Sequence, residues 1–248
     1  MTYLAPGIPL GFYETVTRSI ARALGEPVEL MADSRFSGPP RGEPNPLATG
    51  AADLAFACGP SYLRLAGEVQ LVPAAPVFDD PRGGGAPVYF AEVLTVAGRT
   101  ERTLRELATG RVAFNDPESL SGCLSILGHL GPDVAIGKER WSGSHEASVA
   151  MLLAGDADVC AVDSVVWRRL AAERPGLTRR LRVVEALGPF PIQPVLASRA
   201  LPVATVDRIA AALLGPGPGE IGTFGASGFA PVDDAHYRPL AAAYRPGP

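Results

Sequence analysis

The hydrophobic pattern of the chain changes repeatedly between a helical period and short apolar runs. Phe12, Val16, Ile20 and Leu24 recur every four residues and Gly25 follows them, which predicts a helix with one buried face. Further helices are predicted at residues 61–66, 104–108, 120–130, 145–153, 165–172 and 203–214. Short apolar runs predict strands at residues 3–5, 28–31, 53–58, 88–96, 111–114, 159–162, 181–185 and 193–197. Strands separated by helices predict βαβ units and mainly parallel sheets in an α/β protein.

The composition excludes several classes of protein. With 248 residues, the chain can form one large domain or two small ones, each with a sizeable core. Hydrophobic residues make up 47% and charged residues 19%, which is ordinary for a globular protein. The net charge of −4 gives no basic surface of the kind that nucleic-acid-binding proteins show. We therefore expect no nucleic-acid partner.

The ends and apolar runs of the chain bear on its location. The first residues have no basic region, no apolar region and no small-residue cleavage site, so they do not form a secretory signal. The chain as written is therefore expected to be cytoplasmic, or periplasmic or at the cell surface if a signal has been removed. Since no run of about 18 apolar residues occurs, we expect no transmembrane segment.

The three cysteines do not suggest a metal or redox site. Cys58, Cys123 and Cys160 lie among apolar or small residues, without a Cys-x-x-Cys or Cys/His spacing. This environment predicts buried thiols that pack as small hydrophobic side chains. We expect no metal and no cofactor.

The most informative chemistry lies in residues 112–122, where an apolar strand leads into a hydroxyl-rich loop and a helix. Ser119 is a good N-cap, which places the free amides of Leu120, Ser121 and Gly122 at the positive end of the helix dipole. With the two serine hydroxyls, these amides form a candidate anion site, and Gly122 would let a ligand approach closely. The alternative, which stays open here, is that Ser119 only caps the helix.

A second stretch offers a similar helix start. Ser144 is a candidate N-cap, and His145 in the first helical turn could donate from its ring to an anion, with added charge if protonated. Asp163 follows an apolar strand at its carboxyl end, where open α/β sheets bind ligands. Two alternatives remain: His145 is an ordinary core or surface residue, and Asp163 is the N-cap of the next helix.

Taken together, these stretches resemble the signature of the phosphonate/phosphate/phosphite-binding proteins of ABC importers. The resemblance rests on AFNDPESLSG and SGSHEASVAMLLAGDADVCAVD, and on the earlier GAADLAFACGPSYLRLA, which is similar to a strand and turn of the same family. It extends over residues 3–200.

The resemblance implies an α/β, two-lobed type II periplasmic-binding-protein fold with a ligand cleft between the lobes. Lobe 1 would comprise residues 1–89 and 195–248, lobe 2 residues 90–194, and the chain would cross between them at residues 89–93 and 190–193. The implied function is binding of a small anionic ligand, without chemistry on it. The implied partners are an ABC permease and its ATPase.

The resemblance also implies which residues bind the ligand. The clamp on the oxyanion head would be formed by Ser119, Leu120, Ser121 and His145, with Tyr89 on the interlobe strand and Asp163 receiving a ligand amino group. The sequence departs from the family pattern twice, because Leu120 replaces a threonine and Phe36 replaces a first-lobe tyrosine. Each replacement removes a hydroxyl donor.

Two rival functions remain open at this point. Cytosolic enzymes share this fold, for instance in menaquinone and pyrimidine biosynthesis, and a cytosolic ligand sensor is a further alternative. The missing signal segment favours these rivals, whereas the paired motifs favour a binding protein. A Ser-His-Asp set cannot be assigned, because the only histidines are His129, His145 and His236 and no Gly-x-Ser-x-Gly motif occurs.

Overall fold

The computed structural model describes residues 1–5, 7–215 and 220–243 of the chain. Contacts divide it into two compact units, the first formed by Met1–Val88 and Pro191–Ala242 and the second mainly by Tyr89–Phe190. Parts of the Pro/Gly-punctuated tail, residues 216–219 and 244–248, lie outside the described residues.

The elements are numbered in chain order. The helices are α1 (Leu10–Leu24), α2 (Pro46–Thr49), α3 (Gly59–Leu65), α4 (Leu104–Leu107), α5 (Ser125–Leu130), α6 (His145–Ala154), α7 (Ser164–Glu173), α8 (Leu177–Arg180), α9 (Val203–Leu214), α10 (Asp234–Tyr237) and α11 (Leu240–Ala243). The strands are β1 (Leu54–Phe56), β2 (Val69–Leu71), β3 (Ala75–Phe78), β4 (Val88–Val96), β5 (Arg111–Phe114), β6 (Lys138–Trp141), β7 (Val159–Asp163), β8 (Leu181–Pro191), β9 (Val195–Ser198) and β10 (Ala226–Ala230). The described residues also form 3₁₀ helices at Pro81–Gly83 and Ile221–Phe224 and a π-helical segment at Leu120–Leu124.

The first unit is built on two small antiparallel sheets. One has the strand order β1-β9-β2 and the other pairs β10 with β3. Helix α1 buries Phe12, Val16 and Ile20, as its four-residue spacing predicts, and packs against α9. It ends at Gly25, whose φ of 74° favours glycine because a side chain strains that backbone conformation.

The second unit contains a five-stranded sheet in the order β6-β5-β7-β4-β8. Strand β5 runs parallel to β6 and β7, whereas β4 runs antiparallel to β7. Alternate residues of β4 enter the cores on the two faces of the sheet, with Ala91 and Val93 in one and Leu94 in the other. Strand β5 and its two parallel neighbours place the carboxyl ends of three strands at one edge.

The prediction of mainly parallel sheets is wrong. Among the described strand pairs whose direction is known, only β5–β6 and β5–β7 are parallel. The hydrophobic period shows which side chains of a strand are buried, but it does not show the direction of the strand's neighbours.

Other differences concern short elements. The predicted strands at residues 3–5 and 28–31 are absent, and Thr2 instead forms isolated bridges with Ala32 and Phe56. Strand β6 was not predicted, because its charged sequence lies at the sheet edge and is largely exposed. The predicted helix at residues 120–130 begins with the π-helical segment before it becomes α5. None of the helices in the described ranges has the length and apolar character to cross a membrane.

Candidate ligand-binding site

The two predicted anion-binding stretches meet in the second unit. Strands β5 and β6 are parallel neighbours, with Phe114 opposite Trp141, so the loops that follow them leave the same edge of the sheet. The amide of Ser142 donates to the carbonyl of Phe114, and the amide of Gly143 donates to the carbonyl of Asn115, both at 2.9 Å. These bonds hold the loop before α6 against the loop before the π-helical segment.

Ser119 caps the π-helical segment, as the capping interpretation proposed. Its Oγ accepts from the amide of Gly122 at 3.2 Å, so the prediction that this amide is free is wrong. The carbonyl of Ser119 accepts from the amide of Leu124 at 3.0 Å. The amides of Leu120 and Ser121, the first two of the segment, have no acceptor among the described residues. Ser119 keeps its hydroxyl proton for donation, so capping and ligand binding are compatible.

Ser144 caps α6 in the same way. Its Oγ accepts from the amide of Ala147 at 3.1 Å, and its carbonyl accepts from the amide of Ser148 at 2.9 Å. The amides of His145 and Glu146 find no acceptor in the part of the chain that the structure describes. Two helix starts with uncommitted amides therefore lie beside each other.

His145 links the two helix starts through a side-chain contact. Its Nε2 lies 3.2 Å from Oγ of Ser121, and either atom can be the donor. Burial lowers the pKa of the ring to about 4, while a hydrogen bond to the backbone of Ala161 opposes this shift. Protonating the ring at pH 7 would cost about 4 kcal/mol at 1.36 kcal/mol per pH unit. The ring is therefore neutral in the free protein at neutral pH.

Asp163 lies at the carboxyl end of β7 and caps α7. Its Oδ1 accepts from the amide of Val165 at 2.8 Å, which confirms the capping interpretation. Burial, and to a lesser extent the charge of Glu92, raises the pKa of Asp163 to about 7, against the effect of the amides of Val165 and Val166. A cation at this place would favour the ionised carboxylate.

Tyr89 begins the second unit on β4, which is the other neighbour of β7. Its side chain is buried, with its ring centre 6.1 Å from that of Phe190. The next amide, that of Phe90, donates to Oγ of Ser164 at 3.1 Å and so joins β4 to the start of α7. Phe36, at which the resemblance implied a tyrosine in related proteins, lies in the first unit and is 37% exposed.

One residue of the site was missed in the sequence. Asn115 follows β5 directly and is buried, and its Oδ1 has no hydrogen-bond partner within the described part of the chain. A Cβ on Gly122 would lie 1.9 Å from that Oδ1, so the missing side chain of Gly122 makes room for Asn115. The expectation that Gly122 admits a ligand is therefore corrected. The only signal for Asn115 in the sequence is its place at the carboxyl end of a buried strand.

The charge in the first turn of α6 is neutralised by arginines in α7 and directly after it. Glu146 pairs with Arg169 at 2.6 Å and with Arg174 at 3.2 Å, and the hydrogen bond to Arg169 lowers its pKa. This pairing reduces the repulsion that the carboxylate would exert on an anion at the helix start.

The cysteines are buried, as predicted. Burial raises the pKa of the Cys123 thiol to about 12 and also raises that of Cys160, so both are protonated at neutral pH. Nowhere in the described ranges do three His, Cys, Asp or Glu side chains converge as metal ligands.

The fold is similar to that of solved binding proteins. A binding protein component of an ABC phosphonate transporter from Pseudomonas aeruginosa is 16% identical with a TM-score of 0.71, and the match covers 93% of this chain and 79% of that one. PhnD1 from Prochlorococcus marinus, in complex with methylphosphonate, is 15% identical with a TM-score of 0.73 over 95% and 92% of the chains. XAC2383 from Xanthomonas citri, bound to ATP, is 20% identical with a TM-score of 0.69 over 96% and 90%. The fold is that of type II periplasmic binding proteins.

The sequence itself identifies a family. No curated protein matches the chain significantly. The model of the family described as "ABC transporter, phosphonate, periplasmic substrate-binding protein" matches residues 13–237. That range spans most of the chain and includes both stretches with the two helix starts. The chain therefore belongs to the phosphonate-binding family of ABC-transporter periplasmic substrate-binding proteins.

Proposed function

We propose that this protein binds a small phosphonate through the two helix starts of its second unit. The observation that supports this most is the contact between Ser121 and His145, which joins the two starts beside four uncommitted backbone amides. An oxyanion head has three oxygens, and each can accept several of these hydrogen bonds. The proposed clamp consists of Ser119, Leu120, Ser121 and His145.

The proposed clamp uses neutral donors. His145 is neutral in the free protein, so it contributes a hydrogen bond and no full charge. Hydrogen bonds to an ionised acceptor each contribute about 1.5–3 kcal/mol, and backbone amides at helix starts add a favourable dipole. A set of such bonds supports binding of an anion without a lysine or arginine.

We propose that Asp163 and Tyr89 contact the substituent on phosphorus. Asp163 is buried with Glu92 near it, so a ligand ammonium group would gain from both carboxylates. An aminoalkylphosphonate should therefore bind more tightly than phosphate. PhnD1, which has a similar fold, is in complex with methylphosphonate, and this supports a phosphonate as the anionic group of the ligand.

The family match also frames the partners and the location. The family consists of substrate-binding components, so the enzyme alternative is not favoured. We propose an ABC permease and its ATPase as partners, with delivery on the periplasmic side of the membrane. We also propose that the two compact units are the two lobes of this fold.

Calorimetry with a panel of ligands tests the proposal. The panel contains methylphosphonate, an aminoalkylphosphonate, phosphate, phosphite, a sulfonate and ATP, the last because XAC2383 is bound to it. We expect the aminoalkylphosphonate to bind most tightly. His145→Ala and Ser121→Ala should each weaken binding about tenfold, the effect of losing one charge-assisted bond. Asp163→Asn should reduce only the preference for a ligand with an amino group.

Two matched variants serve as controls. His129→Ala alters an exposed histidine at the end of α5, and Ser227→Ala alters a serine of the first unit that donates to the carbonyl of Val77. Neither should change the dissociation constants. Absence of binding by every phosphorus oxyanion at millimolar concentration, or tighter binding of ATP than of every phosphonate, would overturn the proposal.

A further inference from the structure

We infer that Asn115 is a further ligand-binding residue, whose carboxamide donates a hydrogen bond to an oxygen of the oxyanion. The inference rests on the proposed function, because it assumes that the oxyanion lies at the two helix starts.

The side chain of Asn115 is buried and has no partner in the free protein. Asn115 is 6% exposed, and its Oδ1 is secluded without a hydrogen bond. The side-chain Nδ2 of Asn115 has no acceptor among the described residues either. Buried polar groups in proteins nearly always have a partner, and one left unpaired destabilises the folded state. A buried carboxamide whose oxygen is secluded and unpaired indicates that a partner arrives later.

The position of Asn115 identifies that partner. Its backbone carbonyl accepts from the amide of Gly143 at 2.9 Å, in the loop before α6. Its side chain packs on Gly122, where a Cβ would lie within 3.0 Å of all three outer carboxamide atoms. Asn115 thus joins both loops that precede the helix starts, and Gly122 is next to Ser121 of the proposed clamp.

The chemistry of the carboxamide suits an oxyanion. Its NH₂ group donates two hydrogen bonds without a charge, like the other donors of the clamp. The oxygen and nitrogen of an asparagine are interchangeable by rotation, so the carboxamide can present its NH₂ group to the ligand. An aspartate in its place would have nearly the same shape but would repel the anion.

Two substitutions separate ligand binding from a structural role. Asn115→Leu keeps the approximate size and removes both polar atoms, so stability to urea should be unchanged or higher, since no pair is broken. Its dissociation constant for methylphosphonate should nevertheless rise about tenfold, the loss of one charge-assisted bond. Asn115→Asp should raise the dissociation constant about a hundredfold, because charge repulsion is added to the loss of the hydrogen bond.

The matched control is Asn45→Leu in the first unit. Asn45 is also buried, but both ends of its carboxamide are paired, with the amide of Leu47 and with Glu68. This substitution should lower stability and leave the dissociation constant unchanged. If Asn115→Leu does not fold, Asn115→Ala replaces it, with the same expected loss of affinity.

The outcomes can be told apart. Wild-type affinity in the folded Asn115 variants, with the wild-type protein binding methylphosphonate, overturns this inference and leaves the proposed function standing. A wild-type protein that binds no member of the ligand panel overturns both. Loss of affinity in Asn115→Leu without loss of stability supports the inference.

Discussion

Replacing Asp163 with Asn should abolish the loss of about 4 kcal/mol of stability that the titration of Asp163 causes between about pH 4 and pH 7. The folded protein raises the pKa of Asp163 from 3.8 to about 7, mainly through burial. The folded state therefore holds this proton more tightly than the unfolded state does. The contribution is fully present below pH 3.8, declines as the pH rises, and is lost above pH 7. Asparagine does not titrate, and it is an equally good N-cap for α7.

Urea unfolding at several pH values measures this effect as the difference between variant and wild type. Asp158→Asn provides a control of opposite sign, because the hydrogen bonds from Arg111 lower the pKa of Asp158 to about 2. The stability that Asp158 contributes is present above pH 3.8 and lost as the pH falls toward 2. Parallel pH profiles for wild type and Asp163→Asn would contradict the assignment of a protonated, buried Asp163.

The second large effect concerns His145. Its pKa falls from 6.5 to about 4 on folding, so the wild-type protein should gain about 3 kcal/mol of stability between pH 4 and pH 6.5. The contribution is present above the unfolded pKa and is lost as the pH falls through the folded pKa. His145→Gln cannot titrate, yet its amide can still reach Ser121. This variant should therefore lack the gain.

The effects of His145 and Asp163 oppose each other over the same pH range. The stability of the wild-type protein should therefore depend little on pH through this pair, and the double variant should show a similar pH profile. Relative to the wild type, the free energy of unfolding should fall with rising pH for His145→Gln. It should rise with rising pH for Asp163→Asn. A single variant of His145 with the wild-type slope would show that the ring is exposed and titrates normally.

Much of the candidate site could be predicted from local patterns. A strand that leads into Ser119 and a helix, or a loop that leads into Ser144 and a helix, is visible in consecutive residues because capping depends on neighbours in sequence. The capping interpretations of Ser119, Ser144 and Asp163 are confirmed for that reason. Strand β4 was also predicted with its bounds, since its long apolar run is buried on both faces.

What could not be predicted depends on distant parts of the chain. The neutral state of His145 results from burial under elements far from it in sequence, and the pKa of Asp163 depends on Glu92 of another strand. The fit of Asn115 against Gly122 needs the three-dimensional path of the loop. The antiparallel pairing of β4 with β7 likewise has no signal in the hydrophobic period.

The central claim is that an oxyanion binds at the two helix starts of the second unit. Backbone ¹H–¹⁵N NMR spectra of the labelled protein, recorded during titration with methylphosphonate, test it most directly. The four uncommitted amides, those of Leu120, Ser121, His145 and Glu146, should show the largest shifts and move downfield as they gain a charged acceptor. Largest shifts confined to residues of the first unit, with these four amides unchanged at saturation, would contradict the account.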